Sequence, residues 1–170
     1  MTGEKQRRET VYLGLGSNLG DRESNLREAL EAVDALESTR LLKVSPLYAT
    51  EPRIVEQQPE FLNACAKIET ALSPRKLLEA LLDIEQQFGR ERARDKGART
   101  LDLDILLWEE RLVDQPGLTV PHPGLGERAF VLVPLRDIAA EVRDPATGLT
   151  VEQLAARCTD DGDVERYDDP

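Results

Sequence analysis

The stretch KGARTLDLDILLW, residues 96–108, constrains this chain more than any other. Asp102 and Asp104 alternate with Leu101, Leu103 and Ile105. In an extended strand residues i and i+2 share a face, so both carboxylates point one way and the apolar side chains the other. The apolar ILLW that completes the segment predicts a central, buried strand, where two unneutralised carboxylates side by side would repel. A hard divalent cation such as Mg²⁺, held by one or two carboxylates and completed by substrate phosphates and water, removes the conflict. A solvated strand face with an Arg99–aspartate ion pair removes it too. The strand by itself does not choose between these readings.

At 170 residues the chain is the size of one domain with a real core. We expect a disordered tail over 1–9, a single domain over 10–158 and an acidic tail over 159–170, TDDGDVERYDDP, with no evident core role. The net charge of −11 argues against nucleic acid as a partner. No apolar run is long enough for a membrane span or a signal peptide, which predicts a cytoplasmic protein without a membrane partner. Cys65 and Cys158 lie far apart in sequence and read as reduced structural thiols.

Along the chain, a strand is predicted over 10–16, then a helix capped by Asp21 or Ser24 with Leu26, Leu30, Val33 and Leu36 on one face. The glycine-rich turn between them, in GLGSNLG, has a composition suited to anions, or simply to a tight turn. Residues 40–50 read as an extended edge segment broken by a proline, and 51–59 as a polar loop. Residues 61–70 alternate as a strand with Phe61, Asn63 and Cys65 on one face. A helix over 73–88, starting Ser-Pro, turns Leu77, Leu78, Leu81, Leu82 and Ile84 inward. After the aspartate strand come a turn, a short extended piece, a proline-rich turn with a short helix or irregular segment and an apolar run over 118–142, and a short helix over 151–157. The order strand, helix, strand, strand, helix, strand is that of an α+β, ferredoxin-like βαββαβ sandwich: a mainly antiparallel sheet with helices on one face, followed by a C-terminal extension.

Three further features lie around the aspartates. Arg90, Arg92, Arg94 and Arg99 crowd the loop directly before them, a composition suited to phosphates although equally that of a solvated surface. His122, the single histidine, sits between prolines with Arg128 six residues on; both face a nucleotide or else serve the fold. Aromatic residues are scarce, so Phe61 and Phe130 are either core or a pair that sandwiches a flat heterocycle, with the Asn63 carboxamide at its edge.

These blocks, YLGLGSNLGDR, SPLYATEP, QPEFLNACAKIET, EQQFGRER, GARTLDLDILL and LTVPHPGLGERAFVLVPL, together resemble the 6-hydroxymethyl-7,8-dihydropterin pyrophosphokinases of folate biosynthesis from about Tyr12 to Ala140. The resemblance implies transfer of the β,γ-pyrophosphoryl group of Mg-ATP to the hydroxymethyl group of the reduced pterin, releasing AMP. It implies two Mg²⁺ ions on Asp102 and Asp104, and Arg90, Arg92 and Arg99 as catalytic phosphate contacts. ATP contacts fall on Glu85, Ile105, Thr119, His122 and Arg128, and the pterin pocket on Thr50, Phe61, Asn63 and Phe130. Other folate-pathway enzymes are candidate partners. The chain departs from well-known members at Lys96, where they carry a tryptophan, at Pro123, where they carry an aromatic, and at Gly117, where a phosphate-binding arginine is usual. The loop 51–59 also lacks the usual glycine. The alternatives are a non-catalytic ferredoxin-like module that binds a small molecule, and another Mg²⁺-dependent phosphoryl or nucleotidyl transferase.

Overall fold

The computed structural model describes residues 7–18, 20–50, 60–89, 101–160 and 164–167. The main sheet is antiparallel, with strand order β5-β1-β4-β3-β8 and β2 also paired to β4. Its strands are β1 (Glu9–Ser17), β2 (Thr39–Val44), β3 (Tyr48–Thr50), β4 (Phe61–Thr70), β5 (Asp102–Trp108) and β8 (Val164–Arg166); β6 (Val113–Gln115) and β7 (Leu118–Val120) form a separate pair. The extended segment around Pro46 is two strands, not one. Ser45 interrupts it, its N–H donating to the Cys65 carbonyl at 2.8 Å and its Oγ accepting from the Cys65 N–H at 2.9 Å.

Helix α1 (Arg22–Asp34) is capped by Asp21, whose carboxylate accepts from the Ser24 N–H at 3.1 Å, while the Ser24 hydroxyl donates to Glu28. In α2 (Pro74–Gly89) the Ser73 hydroxyl accepts from the Lys76 N–H, and proline occupies the first turn, where no intrahelical N–H bond is lost. Leu77, Leu81 and Ile84 face inward as their spacing predicts, but Leu82, expected with them, is 49% exposed. Helix α3 (Ala129–Ala139), preceded by a short 3-10 turn at Leu125–Glu127, and helix α4 (Val151–Arg157), with a Thr150–Gln153 capping box, complete the α-helices among the described residues.

Helices cover both faces of the sheet, a correction to the one-sided layer expected. Val11, Leu13, Leu15, Leu62, Ile68, Leu103, Ile105 and Trp108 share one core with Leu26 and Val33 of α1 and Leu77 and Leu81 of α2. Tyr12, Cys65, Leu106 and Leu107 share another with Leu132 and Leu135 of α3 and Leu154 of α4. The second core exists because a register shift between Tyr12 and Leu13 bulges β5, which turns Leu106 and Leu107 to the same side. Each fully buried leucine is worth roughly 1.5–3 kcal/mol relative to exposure, so both faces demand a cover.

The aspartate strand was expected to be central; instead β5 terminates the sheet. Two of its outer backbone groups find partners outside any described strand: the Leu103 N–H donates to Glu85 Oε2 at 2.6 Å, and the Leu106 carbonyl accepts from the His122 N–H at 3.0 Å. This is how an edge is kept from pairing with another chain. The C-terminal tail also corrects expectation. Val164–Arg166 pairs with β3, the Tyr167 N–H donates to the Leu47 carbonyl at 2.8 Å, and the Tyr167 ring packs against the first core. Cys65 and Cys158 are free thiols, as expected.

Candidate active site

The site is built on missing side chains. On the α3 face, Gly16 of β1 lies opposite Asp102 of β5 on one side and Asn63 of β4 on the other, and Gly14 lies between Asp104 and Cys65 in the same way. A Cβ on Gly16 would stand 2.8 Å from the Asn63 Oδ1, and one on Gly14 would touch the Leu106 side chain at 3.4 Å. The two glycines therefore lie between the carboxylates of β5 and the amide of β4, Gly16 making room for the Asn63 carboxamide and Gly14 for the Leu106 side chain. Sequence reading treated GLGSNLG as a turn at the start of a helix and missed this. The available signal was glycine at alternate positions of a strand, which marks close approach by a ligand or another backbone.

The amide side is held tightly. Asn63 Nδ2 donates to the Oγ1 of buried Thr50 at 2.7 Å, and Phe61 pairs across the strands with Thr50. Arg22 Nη1 donates to the carbonyl of Glu60, the residue before Phe61, at 2.6 Å. Tyr48, beside Asn63 on β3, donates its phenol to the Asp137 carboxylate of α3. Burial, then that carboxylate, pushes the Tyr48 pKa up to about 12, so the phenol stays a donor. Tyr48 and Arg22 went unnoticed in the sequence because nothing local marks either contact. Helix α3 starts above Cys65, whose thiol donates to the Val131 carbonyl at 3.6 Å, which sets the first turn of α3, with Phe130, over β4.

The carboxylate side is positioned by α2. The bond from the Leu103 N–H to Glu85 fixes the backbone between Asp102 and Asp104. Beside it, His122 Nδ1 accepts from the Gly124 N–H at 3.0 Å, which leaves the proton of the neutral ring on Nε2. Burial lowers the His122 pKa and Arg128 lowers it further, while Asp102 opposes them. The ring is thus a neutral donor at pH 7. A Cβ on Gly124 would lie 2.8 Å from the Arg128 Nε, so only glycine lets this guanidinium in. The guanidinium carbon is 5.8 Å from the Phe130 ring centroid, a cation–π distance that ties Arg128 to the aromatic.

Of the residues singled out, the fold brings Asp102, Asp104, Asn63, Phe61 and Thr50 to one sheet face, with His122, Arg128 and Phe130 around it. Glu85 sits behind the carboxylates. Thr119 is exposed on β7, and the Ile105 side chain lies in the first core, so ligand contact from Ile105 is left to its backbone. Arg90, Arg92, Arg94, Lys96 and Arg99, and the loop 51–59, lie outside the described residues. Among the described residues no three His, Cys, Asp or Glu side chains gather closely enough to hold a metal.

Residues 12–140 match the profile of the family described as 7,8-dihydro-6-hydroxymethylpterin-pyrophosphokinase (HPPK). This chain belongs to that family. It is 47% identical over 156 residues to the 2-amino-4-hydroxy-6-hydroxymethyldihydropteridine pyrophosphokinase of Pseudomonas aeruginosa, covering 92% of this chain and 95% of that protein. The Bacillus subtilis protein of the same name is 42% identical over 147 residues, 86% of this chain and 88% of its own. The chain also matches the folic acid synthesis protein fol1 of Schizosaccharomyces pombe at 41% identity, covering 94% of this HPPK chain but 22% of that larger protein. Among solved structures, a Plasmodium falciparum HPPK-DHPS chain shares the fold, with a TM-score of 0.72 and 16% identity over 91% of this chain and 45% of its own.

Proposed function

We propose that the sheet face around Gly16 is the active centre of this HPPK, with the phosphate and metal half at Asp102 and Asp104 and the acceptor half at Asn63. As a member of the family the chain is an ATP-dependent pyrophosphokinase. It transfers a pyrophosphoryl group from ATP to 6-hydroxymethyl-7,8-dihydropterin in folate biosynthesis, which leaves AMP. The observation that carries the site is the row Asp102–Gly16–Asn63 across three adjacent strands, because it sets a metal-binding chemistry and a heterocycle-reading chemistry on either side of a residue with no side chain.

The donor set fits Mg²⁺. Two carboxylates on one strand face supply hard oxygen ligands, and among the described residues too few protein ligands gather to complete a coordination sphere, as suits an ion that keeps water and takes substrate phosphates. In our reading Asp102 and Asp104 hold two such ions. Bound there, Mg²⁺ would supply neutralisation of phosphate charge and a lowered pKa for the acceptor hydroxyl. The side chains do the rest. Asn63, preset by Thr50, offers the ring edge a donor and an acceptor, while Phe61 and Phe130 stack on its faces. His122 donates from Nε2 and Arg128 from its guanidinium to ATP, with Glu85, Thr119 and the Ile105 backbone as the remaining nucleotide contacts. Arg90, Arg92 and Arg99 address the transferring phosphates.

We read the strand order β5-β1-β4 with β2 and β3 beside β4 as a ferredoxin-like arrangement whose edge strand is split at Pro46. No helix among the described residues is long and apolar enough to cross a membrane, which supports placement in the cytoplasm. Fusion to DHPS in the Plasmodium chains supports association with other folate-pathway enzymes. A non-catalytic module is not favoured by the family match.

The test is product analysis. With Mg²⁺, ATP and 6-hydroxymethyl-7,8-dihydropterin, the protein should form AMP and the pterin diphosphate in equal amounts. ADP as the product would assign ordinary kinase chemistry instead and sink the reading.

A further inference from the structure

The C-terminal segment touches both walls of the acceptor half, although it lies beyond the residues 12–140 that match the family profile. Asp160 Oδ2 accepts from the Ala129 N–H at 3.0 Å. Ala129 is the first residue of α3 and stands between Arg128 and Phe130, and Arg128, at the N-cap position, makes no side-chain capping bond. An orphan N–H at a helix start needs an acceptor, and a carboxylate there also meets the positive end of the helix dipole. Asp160 thus supplies from 31 residues away the cap that the local sequence lacks.

A few residues later the same segment reaches the opposite wall. Val164 pairs with Thr50, Glu165 with Ala49 and Arg166 with Tyr48 in antiparallel register. Thr50 is the residue whose hydroxyl accepts from Asn63, and Tyr48 is the one whose phenol reaches Asp137 on α3. β3 is three residues long, too short to hold its place on one partner alone, and β8 gives it a second edge of backbone hydrogen bonds.

We infer that Asp160 and strand β8 brace the pterin pocket, Asp160 fixing the start of α3 with Arg128 and Phe130, and β8 fixing Thr50 and through it Asn63. Asp160 is a positioning residue for the acceptor and touches neither substrate. The inference rests on the reading of Thr50, Phe61, Asn63 and Phe130 as the pterin pocket.

The test is steady-state kinetics on the full-length chain carrying Asp160→Ala, Asp160→Asn or Val164→Pro, with Asn63→Ala as the pocket control. Asp160→Ala should raise KM for the pterin by roughly three- to tenfold, the size of a lost cap, more than it raises the KM for ATP through Arg128, with kcat little changed. Asp160→Asn, whose Oδ1 still accepts from Ala129, should recover most of the loss. Val164→Pro should raise the pterin KM through the other wall. The inference is overturned if neither Asp160→Ala nor Val164→Pro moves the pterin KM, or if both KM values and kcat shift together with the melting temperature. If Asn63→Ala raises the pterin KM and Asp160→Ala does not, the brace fails and the pocket stands. If Asn63→Ala has no effect, the pocket reading fails. Amide exchange at Ala129 then decides the brace, which requires faster exchange in Asp160→Ala than in Asp160→Asn.

Discussion

The two faces of the central sheet are made from the same strands yet serve opposite ends. Toward α1 and α2, the strands present Val11, Leu13, Leu15, Leu62, Ile68, Leu103 and Ile105, none more than 6% exposed. Toward α3 the same strands present two different halves. Near Tyr12, Cys65, Leu106 and Leu107 the face is apolar and covered; near Gly16, Asn63, Asp102 and Asp104 it is polar, and the three polar side chains are half-buried. Strand alternation lets one residue serve stability while its neighbour serves chemistry, and the proposed active half is the part of one face that carries the carboxylates and the amide.

That contrast can be broken most forcefully by exchanging which face is damaged. Asp104→Ala should reduce turnover by at least several kcal/mol of barrier, on the scale of lost metal catalysis, with an unchanged melting temperature. Leu13→Ala, one residue away from Gly14 on β1 but on the covered face, should do the reverse and cost about 2–5 kcal/mol of stability with the KM values intact. Parallel thermal melts and kinetics compare them, and an Asp104 variant that turns over normally would remove the carboxylates from the site.

A subtler blow falls on Gly16 itself. Gly16→Ala places a methyl 2.8 Å from Asn63 Oδ1, so the carboxamide must give way and its bond to Thr50 must weaken. The pterin KM should rise by up to about tenfold, the worth of one hydrogen bond, with the ATP KM steady. Equal effects on both substrates would mean the site is shared and not divided.

The smallest effect concerns pH. Burial and Arg128 hold the His122 pKa below its ordinary 6.5, so the unfolded chain takes up this proton first as pH falls. The group's contribution to stability is therefore complete above 6.5 and is lost as pH drops from there through the folded value. Denaturant titrations of the wild type and His122→Gln at about pH 7.5 and about pH 5 should show a smaller acid loss in the variant; equal losses would remove His122 as a source.

Much of this was legible in the chain. The helical spacing of Leu26 and Val33 and of Leu77, Leu81 and Ile84, the strand alternation of Phe61, Asn63 and Cys65, and the shared face of Asp102 and Asp104 all follow from local periodicity, and all appear in the fold. The short helix over 151–157 was legible, but the packing of α3 and α4 on the second face was not, because Leu106 and Leu107 turn together only once a bulge sets β5 against β1. The same holds for the edge location of β5, whose outer hydrogen bonds come from Glu85 and His122, and for the tail that returns to β3.

By itself the sequence determined which side chains share a face, because the two-residue period of a strand and the 3.6-residue period of a helix are written within a few neighbouring residues. Only the tertiary structure decided that Gly16 lies between Asp102 and Asn63, and that Asp160 caps a helix begun 31 residues earlier. Register is a property of pairs distant along the chain. A slip of one residue would have turned the carboxylates into the core and the leucines to the ligand, and burial of the apolar face is what forbids it.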